Sequence, residues 1–230
     1  MIHSLTRRQL MALTAGIAAL AAFGVQAQTA TDTTTTPATP PAPATDAGPV
    51  ADFTMGDAAA KVTMAEFLSV TCPHCAHFHA EILPKLKADY IDTGKIKLEV
   101  HEVYRNQLDL YGALVARCGG EMRYFGVMDL LFDKQQDWAG AADTAALVEQ
   151  LKKLGRTAGM TDEQVDACLH DQKVAEALVA HFQADQKTNF PNDSFEGTPT
   201  FKLNGELRKD IFSDIAYADL KTILDAELAK

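Results

Sequence analysis

Apolar residues change their spacing along the chain, and these changes outline an order of strands and helices. The segment 61–70 is dense in apolar and β-branched residues and predicts a buried strand. The segment 96–103 alternates apolar and polar residues and predicts a second strand. Between them, apolar residues recur at helical spacing, which predicts a helix from Pro73 to about Tyr90 with a kink at Pro84. This order predicts a parallel β-α-β unit with a right-handed crossover.

The middle of the chain has no strand pattern and divides into helices. Periodicity and helix-end signals predict five of them, at 108–118, 121–134, 144–154, 161–169 and 174–187. The strand pattern returns near the end of the chain. We predict a strand, a tight Asn-Gly hairpin turn, a returning strand and an amphipathic helix, at 200–203, 204–205, 206–209 and 215–228. A short strand is also predicted at 50–55.

The first 48 residues predict export rather than a fold. Residues 1–27 have the charged start, apolar core and small residues at the cleavage site of a secretory signal peptide. The pair Arg7-Arg8 also fits a twin-arginine signal, so the Sec and twin-arginine routes both stay open. Residues 28–48 are Thr, Ala and Pro with almost nothing to bury, which predicts a disordered linker. We therefore expect a periplasmic protein.

Charge and cysteine content narrow the possible partners. The whole chain has a formal net charge of −10, and removing the two arginines of the signal peptide makes it −12. The chain has no basic patch, so we expect no nucleic-acid partner. An oxidising compartment makes two disulfides the natural arrangement of its four cysteines.

The motif that carries chemistry is Cys72-Pro73-His74-Cys75, where the first buried strand gives way to a helix. Cys72 would lie near free backbone N–H groups of the first turn, which favour its thiolate, and His74 would add to that stabilisation. Pro73 is tolerated in a first helical turn. The thiolate exists only in the reduced form, so each unit by which the thiol pKa falls below the ambient pH makes the disulfide a stronger oxidant by about 30 mV. We predict an exposed Cys72 that clients attack and a shielded Cys75.

This motif, the run Gly197-Thr198-Pro199-Thr200-Phe201 and the helices between them resemble the exported DsbA family of thiol–disulfide oxidoreductases. The resemblance covers nearly all of 49–230. It implies an α/β protein with a thioredoxin fold and an inserted all-helical domain. The thioredoxin-like domain would comprise 49–105 and 188–230, and the helical insertion 106–187.

The resemblance also assigns roles to residues outside the motif. Pro199 would be a cis-proline against the cysteine pair and, with Thr198, would position an extended substrate peptide. Glu66 would be a buried carboxylate that relays protons to Cys75. An ordinary strand-edge proline and a solvent-facing glutamate are the alternatives.

Cys118 and Cys168 are the remaining cysteines, both on predicted helices. The oxidising compartment favours a structural disulfide between them, and the resemblance to DsbA relatives from alphaproteobacteria supports it. Closing a loop of this length would contribute roughly 4 kcal/mol in the chain-entropy model. Two buried free thiols are the alternative.

The resemblance implies a monomeric dithiol oxidase whose partners are reduced, unfolded secreted proteins. A DsbB-like membrane protein would reoxidise it, and its redox-active disulfide would need no cofactor and no metal. A disulfide isomerase of the DsbC or DsbG type is the nearest alternative, because Thr198 is commoner there. Those enzymes dimerise through a folded N-terminal domain, which we do not expect residues 28–48 to form. A reductase is a third possibility.

A function of another class would be metal binding without turnover. Cys72 and Cys75 with His77 and His79 could form part of a zinc or copper site. The two histidines fall on different helix faces, however. We therefore expect both histidines to be polar surface residues.

Overall fold

The computed structural model describes residues 50–191 and 195–230, so the predicted signal peptide and linker lie outside the described residues. Within this part, five strands form one sheet in the order β1-β3-β2-β4-β5. The strands are β1 (Phe53–Met55), β2 (Val62–Leu68), β3 (Ile96–Glu102), β4 (Thr200–Leu203) and β5 (Glu206–Leu207). All five correspond to predicted strands, although β1 and β5 are shorter than expected.

Strand β2 lies at the centre of the sheet. It pairs in parallel with β3, with Glu66 opposite Val100 and Leu68 opposite Glu102. On its other side it pairs antiparallel with β4, where Phe201 lies opposite Glu66. The parallel pair confirms the predicted β-α-β unit. Because β2 has neighbours on both sides and nearly all its residues are buried, its polar Glu66 lies inside the protein.

Nine α-helices accompany this sheet within the described residues. They are α1 (Pro73–Glu81), α2 (Leu83–Leu86), α3 (Gln107–Cys118), α4 (Glu121–Asp133), α5 (Gln135–Ala139), α6 (Thr144–Thr157), α7 (Asp162–Leu169), α8 (Gln172–Asn189) and α9 (Tyr217–Leu228). The helix predicted with a kink at Pro84 is divided at Ile82, so that the proline falls in the first turn of α2. A π-helical turn, Lys87–Ile91, completes it.

Helix α5 was not predicted, because five residues are too short for periodicity to reveal a helix. It carries Trp138, which is fully buried and donates a hydrogen bond from its indole nitrogen to the Leu131 carbonyl oxygen at 2.8 Å. A Cβ atom on Gly112 of α3 would lie 2.7 Å from Val70 and 3.3 Å from Trp138. A glycine therefore lets α3 approach the end of β2.

Helices α3 to α8 lie between β3 and β4 in the chain. Helices α3 to α7 share one core with the sheet, while Phe182 of α8 packs against a smaller cluster that includes Phe67 of β2. A disulfide joins Cys118 at the end of α3 to Cys168 in α7, as expected. The fold is thus an α/β sheet with an all-helical insertion, which is the class that the resemblance implied. None of the described helices combines the length and apolarity needed to cross a membrane.

Candidate redox site

Cys72 lies at the N-terminal cap of α1, directly after the loop that leaves β2. A fully buried carboxylate from the helical insertion holds this loop. Asp109 of α3 accepts hydrogen bonds from the Ser69 hydroxyl at 2.6 Å, the Thr71 amide at 3.0 Å and the Thr71 hydroxyl at 2.8 Å. The insertion therefore positions the approach to the cysteine.

A second group from the insertion fixes the backbone on the other side of this loop. The Gln135 amide nitrogen of α5 donates to the Val70 carbonyl oxygen at 2.8 Å and to the Cys72 carbonyl oxygen at 3.0 Å. Sequence reasoning missed both Asp109 and Gln135. An acid in a first helical turn is typical of ordinary helices, so Asp109 gave no separate signal.

The two thiols of the motif differ strongly in acidity. A hydrogen bond from the Cys75 thiol is the largest influence that lowers the pKa of Cys72, which falls to about 5 from its usual 9.0. The neighbouring Thr198 and the backbone N–H groups of Cys75 and His74 lower this pKa further, against the opposing effect of burial. Cys72 is therefore a thiolate at neutral pH.

The pKa of Cys75 moves in the opposite direction. Burial raises it most, and the Cys72 thiol and the negative charge of Glu66 raise it further. At neutral pH Cys75 therefore keeps its proton while Cys72 has lost its own. The cysteine pair thus combines a good leaving group with a thiol that must exchange a proton whenever it reacts.

Cys72 is less exposed than predicted. Only 2% of its surface is accessible, because the loop that carries Thr198 packs against it. In the thiol form, Cys72 Sγ donates to the Thr198 carbonyl oxygen at 3.2 Å. The prediction of an exposed Cys72 was therefore wrong for this form, although Cys75 is still the more deeply buried of the two.

The next two residues of the motif are exposed. Pro73 occupies the first helical turn, as predicted. His74 stabilises the thiolate through its backbone N–H, while its ring nitrogen Nδ1 lies 3.3 Å from the Ser213 hydroxyl. The ring is thus turned towards Ser213.

The segment opposite the cysteines contains a cis peptide bond between Thr198 and Pro199, as the resemblance implied. A groove of about 280 Å³ runs beside this bond, and Ile211 and Phe212 contribute apolar side chains to it. Phe212 is half exposed, which is unusual for a large apolar residue in this structure. The groove therefore offers backbone and apolar surface beside Thr198, whose carbonyl oxygen contacts Cys72.

Glu66 is fully buried, so the solvent-facing alternative was wrong. Its Oε2 atom lies 3.1 Å from Nε2 of His79. Its other oxygen, Oε1, has no hydrogen-bond partner in the described part of the chain. A buried carboxylate thus lies near Cys75, as the effect of its charge on the pKa of that thiol indicates.

The comparisons with known proteins agree with this geometry. The family model described as Thioredoxin (Thioredoxin_4) matches residues 49–226, which is more than half of the chain. The chain belongs to the thioredoxin family. Its fold, a thioredoxin-like sheet with a helical insertion, is also that of DsbA structures.

Individual relatives refine this assignment. The "Putative protein-disulfide oxidoreductase" of Rickettsia bellii is 37% identical over 157 residues, which are 67% of this chain and 57% of the relative. The protein-disulfide isomerase from Novosphingobium aromaticivorans is 26% identical with a TM-score of 0.67, and the match covers 79% of this chain and 100% of that structure. Wolbachia pipientis alpha-DsbA1 has the same fold, with 22% identity, a TM-score of 0.64 and coverage of 77% and 91%.

The expected exposure of His79 in this thioredoxin-family protein was also wrong. His79 is not a surface residue, because α1 is covered on more than one side. Phe78 of α1 packs against Phe201 of β4, His79 contacts Glu66 of β2, and α4 packs against another side of the helix. The His79 ring packs at a centroid distance of 4.4 Å from Phe132 of α4. His77 is exposed, as predicted. Sequence reasoning missed the Glu66–His79 pair, since helical periodicity describes burial on one face only.

The geometry gives no support to a metal site at the cysteines. His77 points to solvent and His79 to Glu66. Within residues 50–191 and 195–230, the group with suitable ligand chemistry is elsewhere and consists of Asp52, His101 and Asp185. The His101 ring lies 3.1 Å from Asp185 and 3.3 Å from Asp52, and these carboxylates counteract burial and raise its pKa. Ion pairs between His101 and the two carboxylates thus explain why these three residues lie close together.

Proposed function

We propose that this DsbA-like protein is an exported dithiol oxidase that donates the Cys72–Cys75 disulfide to reduced client proteins. The observation that carries the proposal is the opposite shift of the two thiol pKa values, to about 5 for Cys72 and upward for Cys75. Stabilising the Cys72 thiolate favours the reduced enzyme and makes its disulfide more oxidising.

The proposed reaction has two exchange steps. A client thiolate attacks Cys72 Sγ, the bond between the cysteines breaks, and Cys75 leaves as a thiolate and takes up a proton. A second client thiolate then attacks the client sulfur of the mixed disulfide, and Cys72 leaves as a thiolate. This second step is favourable because a thiol of low pKa is a good leaving group. The client gains a disulfide and the enzyme is left as a dithiol.

The segment at Thr198 and Pro199 is the proposed client-binding surface. The adjacent groove has room for an extended peptide, and the half-exposed Phe212 offers apolar contact. Unfolded proteins expose apolar side chains and free backbone groups, which suits such a surface. The clients would therefore be reduced, unfolded secreted proteins.

The proposed oxidase also needs a compartment, a reoxidising partner and a proton relay. The enzyme would work in the periplasm as a monomer and would be reoxidised by a DsbB-like membrane protein. Its redox-active disulfide would serve without a cofactor. Glu66 would relay protons to and from Cys75, which its burial and its influence on the pKa of that thiol support.

The reduction potential tests the direction of the reaction. Thioredoxin combines a thiol pKa near 7 with a potential of about −270 mV, so a pKa about two units lower predicts roughly −210 mV here. Equilibration with glutathione buffers measures the potential, and oxidation of a reduced, unfolded two-cysteine protein measures the activity. Cys72→Ser should abolish the activity, while His77→Gln should retain it. A potential at or below that of thioredoxin would rule out the oxidase.

Disulfide isomerase is the second candidate. Two observations favour it, namely Thr198 before the cis-proline and the likeness to the Novosphingobium aromaticivorans protein-disulfide isomerase. An isomerase would restore activity to a scrambled, fully oxidised ribonuclease when supplied in the reduced form. An oxidase would act faster on the reduced ribonuclease than on the scrambled one. The ratio of the two rates separates the candidates.

A further inference from the structure

A groove lies on the side of α1 that faces α4. It measures about 440 Å³ and is lined largely by apolar side chains of α1, α2 and α4. His79 lines it although this residue is only 7% exposed. The ring atom Nδ1 of His79 has no hydrogen-bond partner among the residues that the structure describes. A buried polar atom without a partner is costly, so its position beside a groove calls for an explanation.

The other side of the same ring faces the redox site. His79 Nε2 lies 3.1 Å from Glu66 Oε2, and the charge of Glu66 acts on Cys75. The second oxygen of Glu66 is buried and unpaired within residues 50–191 and 195–230. The imidazole is thus the group that separates the buried carboxylate from the groove.

The chemistry of the site requires such a connection. When Cys75 leaves the disulfide it is a thiolate that must gain one proton, and when the disulfide forms again this proton must leave. Cys75 and Glu66 are both buried, so the proton needs a path through the protein. Imidazole can accept a proton on one ring nitrogen and release one from the other, which suits it to this task.

We propose that His79 is a proton-transfer residue that carries the proton of Cys75 between Glu66 and the groove. During disulfide formation the proton passes from Cys75 to Glu66, on to His79 Nε2, and leaves from Nδ1 into the groove. During client oxidation it takes the reverse path, so atoms and charge balance over one cycle. The proposal rests on thiol–disulfide exchange at this site and holds for either direction of net reaction.

Other charged groups surround this path. Glu66 faces His79 from β2, while Asp129 and Asp133 of α4 and Lys87 of the π-helical turn line the groove. Partial desolvation raises the pKa of Asp129, and the charges of His79 and Lys87 act against this rise. Asp129 is exposed at the groove rim, where it can exchange protons with water. It is therefore the acceptor that would follow His79.

The first experiment replaces His79 by a residue that can form a hydrogen bond but cannot carry a proton. His79→Gln should slow the closing of the Cys72–Cys75 disulfide from its mixed disulfide with glutathione by about 10–100-fold. The reduced protein is mixed with oxidised glutathione to form the mixed disulfide. Acid quenching and mass spectrometry then follow its conversion to the Cys72–Cys75 disulfide. His77→Gln, two residues away on the same helix, is the matched control and should leave the rate unchanged.

Two further measurements distinguish proton transfer by His79 from a merely structural role of this residue. The thiolate absorbance of Cys72 should still titrate near pH 5 in His79→Gln, because the groups that lower its pKa stay in place. The solvent isotope effect on disulfide closure should increase in the variant. A wild-type rate and isotope effect in a folded His79→Gln protein would overturn the proposal.

Chemical rescue provides an independent test. His79→Ala would open the buried end of the groove, and free imidazole is small enough to enter it. Imidazole should restore disulfide closure in His79→Ala by at least about tenfold, with saturation, and should not accelerate wild type. Slow closure that imidazole does not restore would overturn the proposal. Closure is measured with glutathione alone, so failure of client oxidation would contradict the proposed function without affecting this result.

Discussion

Two buried glutamates on adjacent strands have opposite surroundings. Glu66 lies in β2 and Glu102 ends β3, and the register places Glu102 beside Leu68, two residues beyond Glu66. Both are buried, with exposures of 0% and 6%. Burial of a carboxylate is costly unless its charge and its hydrogen bonds are compensated. The two glutamates differ in how many hydrogen bonds and opposite charges surround the carboxylate.

Glu102 is fully compensated. Its Oε2 accepts hydrogen bonds from the Tyr104 hydroxyl at 2.6 Å and from Nε of Arg117 at 2.8 Å, and its Oε1 accepts one from the Tyr124 hydroxyl at 2.8 Å. The guanidinium also lies over the Phe53 ring, 4.7 Å from its centroid. This glutamate joins β3 to α3 and α4, so its role is structural.

Glu66 is only partly compensated. It has the single partner His79, and one of its oxygens has none within the described residues. Burial alone therefore does not identify a functional carboxylate. An incompletely satisfied buried acid next to a perturbed thiol is a functional candidate, whereas a saturated one is part of the framework. Four predictions test this distinction, from the largest effect on stability to the smallest.

Glu102→Gln should have the largest effect. The substitution removes the charge that compensates the nearly buried Arg117 and raises its pKa. Breaking a buried ion pair in this way costs about 3–5 kcal/mol of unfolding free energy. Urea unfolding of the oxidised protein measures it. A loss below about 1 kcal/mol would show that the network around Glu102 is not structural.

Replacing the second disulfide should have the next largest effect. Cys118 follows Arg117 directly, so the bridge to Cys168 anchors the helix that carries the partner of Glu102. The double substitution Cys118→Ser and Cys168→Ser should lower the unfolding free energy by about 2–4 kcal/mol. The Cys72 thiolate should still titrate near pH 5, because this bridge does not contact it. An unchanged unfolding midpoint would contradict the prediction.

The unfolding free energy of the reduced protein should depend on pH, with a change of intermediate size. The folded pKa of Cys72, about 5, is lower than its unfolded value near 9, so between these values the folded state binds one proton fewer. Its stabilising contribution is therefore complete above pH 9 and is lost as the pH falls towards 5. From pH 7 to pH 5 the reduced protein should lose about 2 kcal/mol relative to the oxidised protein.

Parallel urea unfolding of the two redox forms at pH 5, 6 and 7 measures this loss. The oxidised form serves as the control, because its cysteines do not titrate. Parallel curves for the two forms over this range would show that the pKa of Cys72 is not lowered in the folded state.

Glu66→Gln should have the smallest effect on stability. It removes an incompletely paired buried charge and keeps a group that can bond to His79, so the unfolding free energy should change by less than about 1 kcal/mol. The same substitution should slow closing of the Cys72–Cys75 disulfide by at least about tenfold, because the proton of Cys75 loses its acceptor. Urea unfolding measures the change in stability, and the rate of disulfide closure is measured on the same preparation. Severe destabilisation with unchanged kinetics would make Glu66 the structural residue.

The order of elements and the redox motif could be predicted from the sequence, and the surroundings of that motif only in part. The β-α-β unit and the hairpin near the chain end rest on local periodicity and turn chemistry, and both are present. Helix α5 and its Gln135 escaped prediction because the helix is so short. The burial of His79 was predicted wrongly, because α1 is covered on more than one side.

The position of the two cysteines at a helix N-terminus after a buried strand follows from the local sequence, because strand, proline and helix follow one another in the chain. The polar groups that hold the backbone around those cysteines come from distant parts of the chain and depend on long-range packing. Asp109 reaches Thr71 across 38 residues and Gln135 reaches Cys72 across 63, distances at which no local pattern operates. The same holds for the two glutamates, since the packing of α3 and α4 brings Arg117 and Tyr124 to Glu102 in addition to its chain neighbour Tyr104. It leaves Glu66 with His79 as its one hydrogen-bond partner within the described residues.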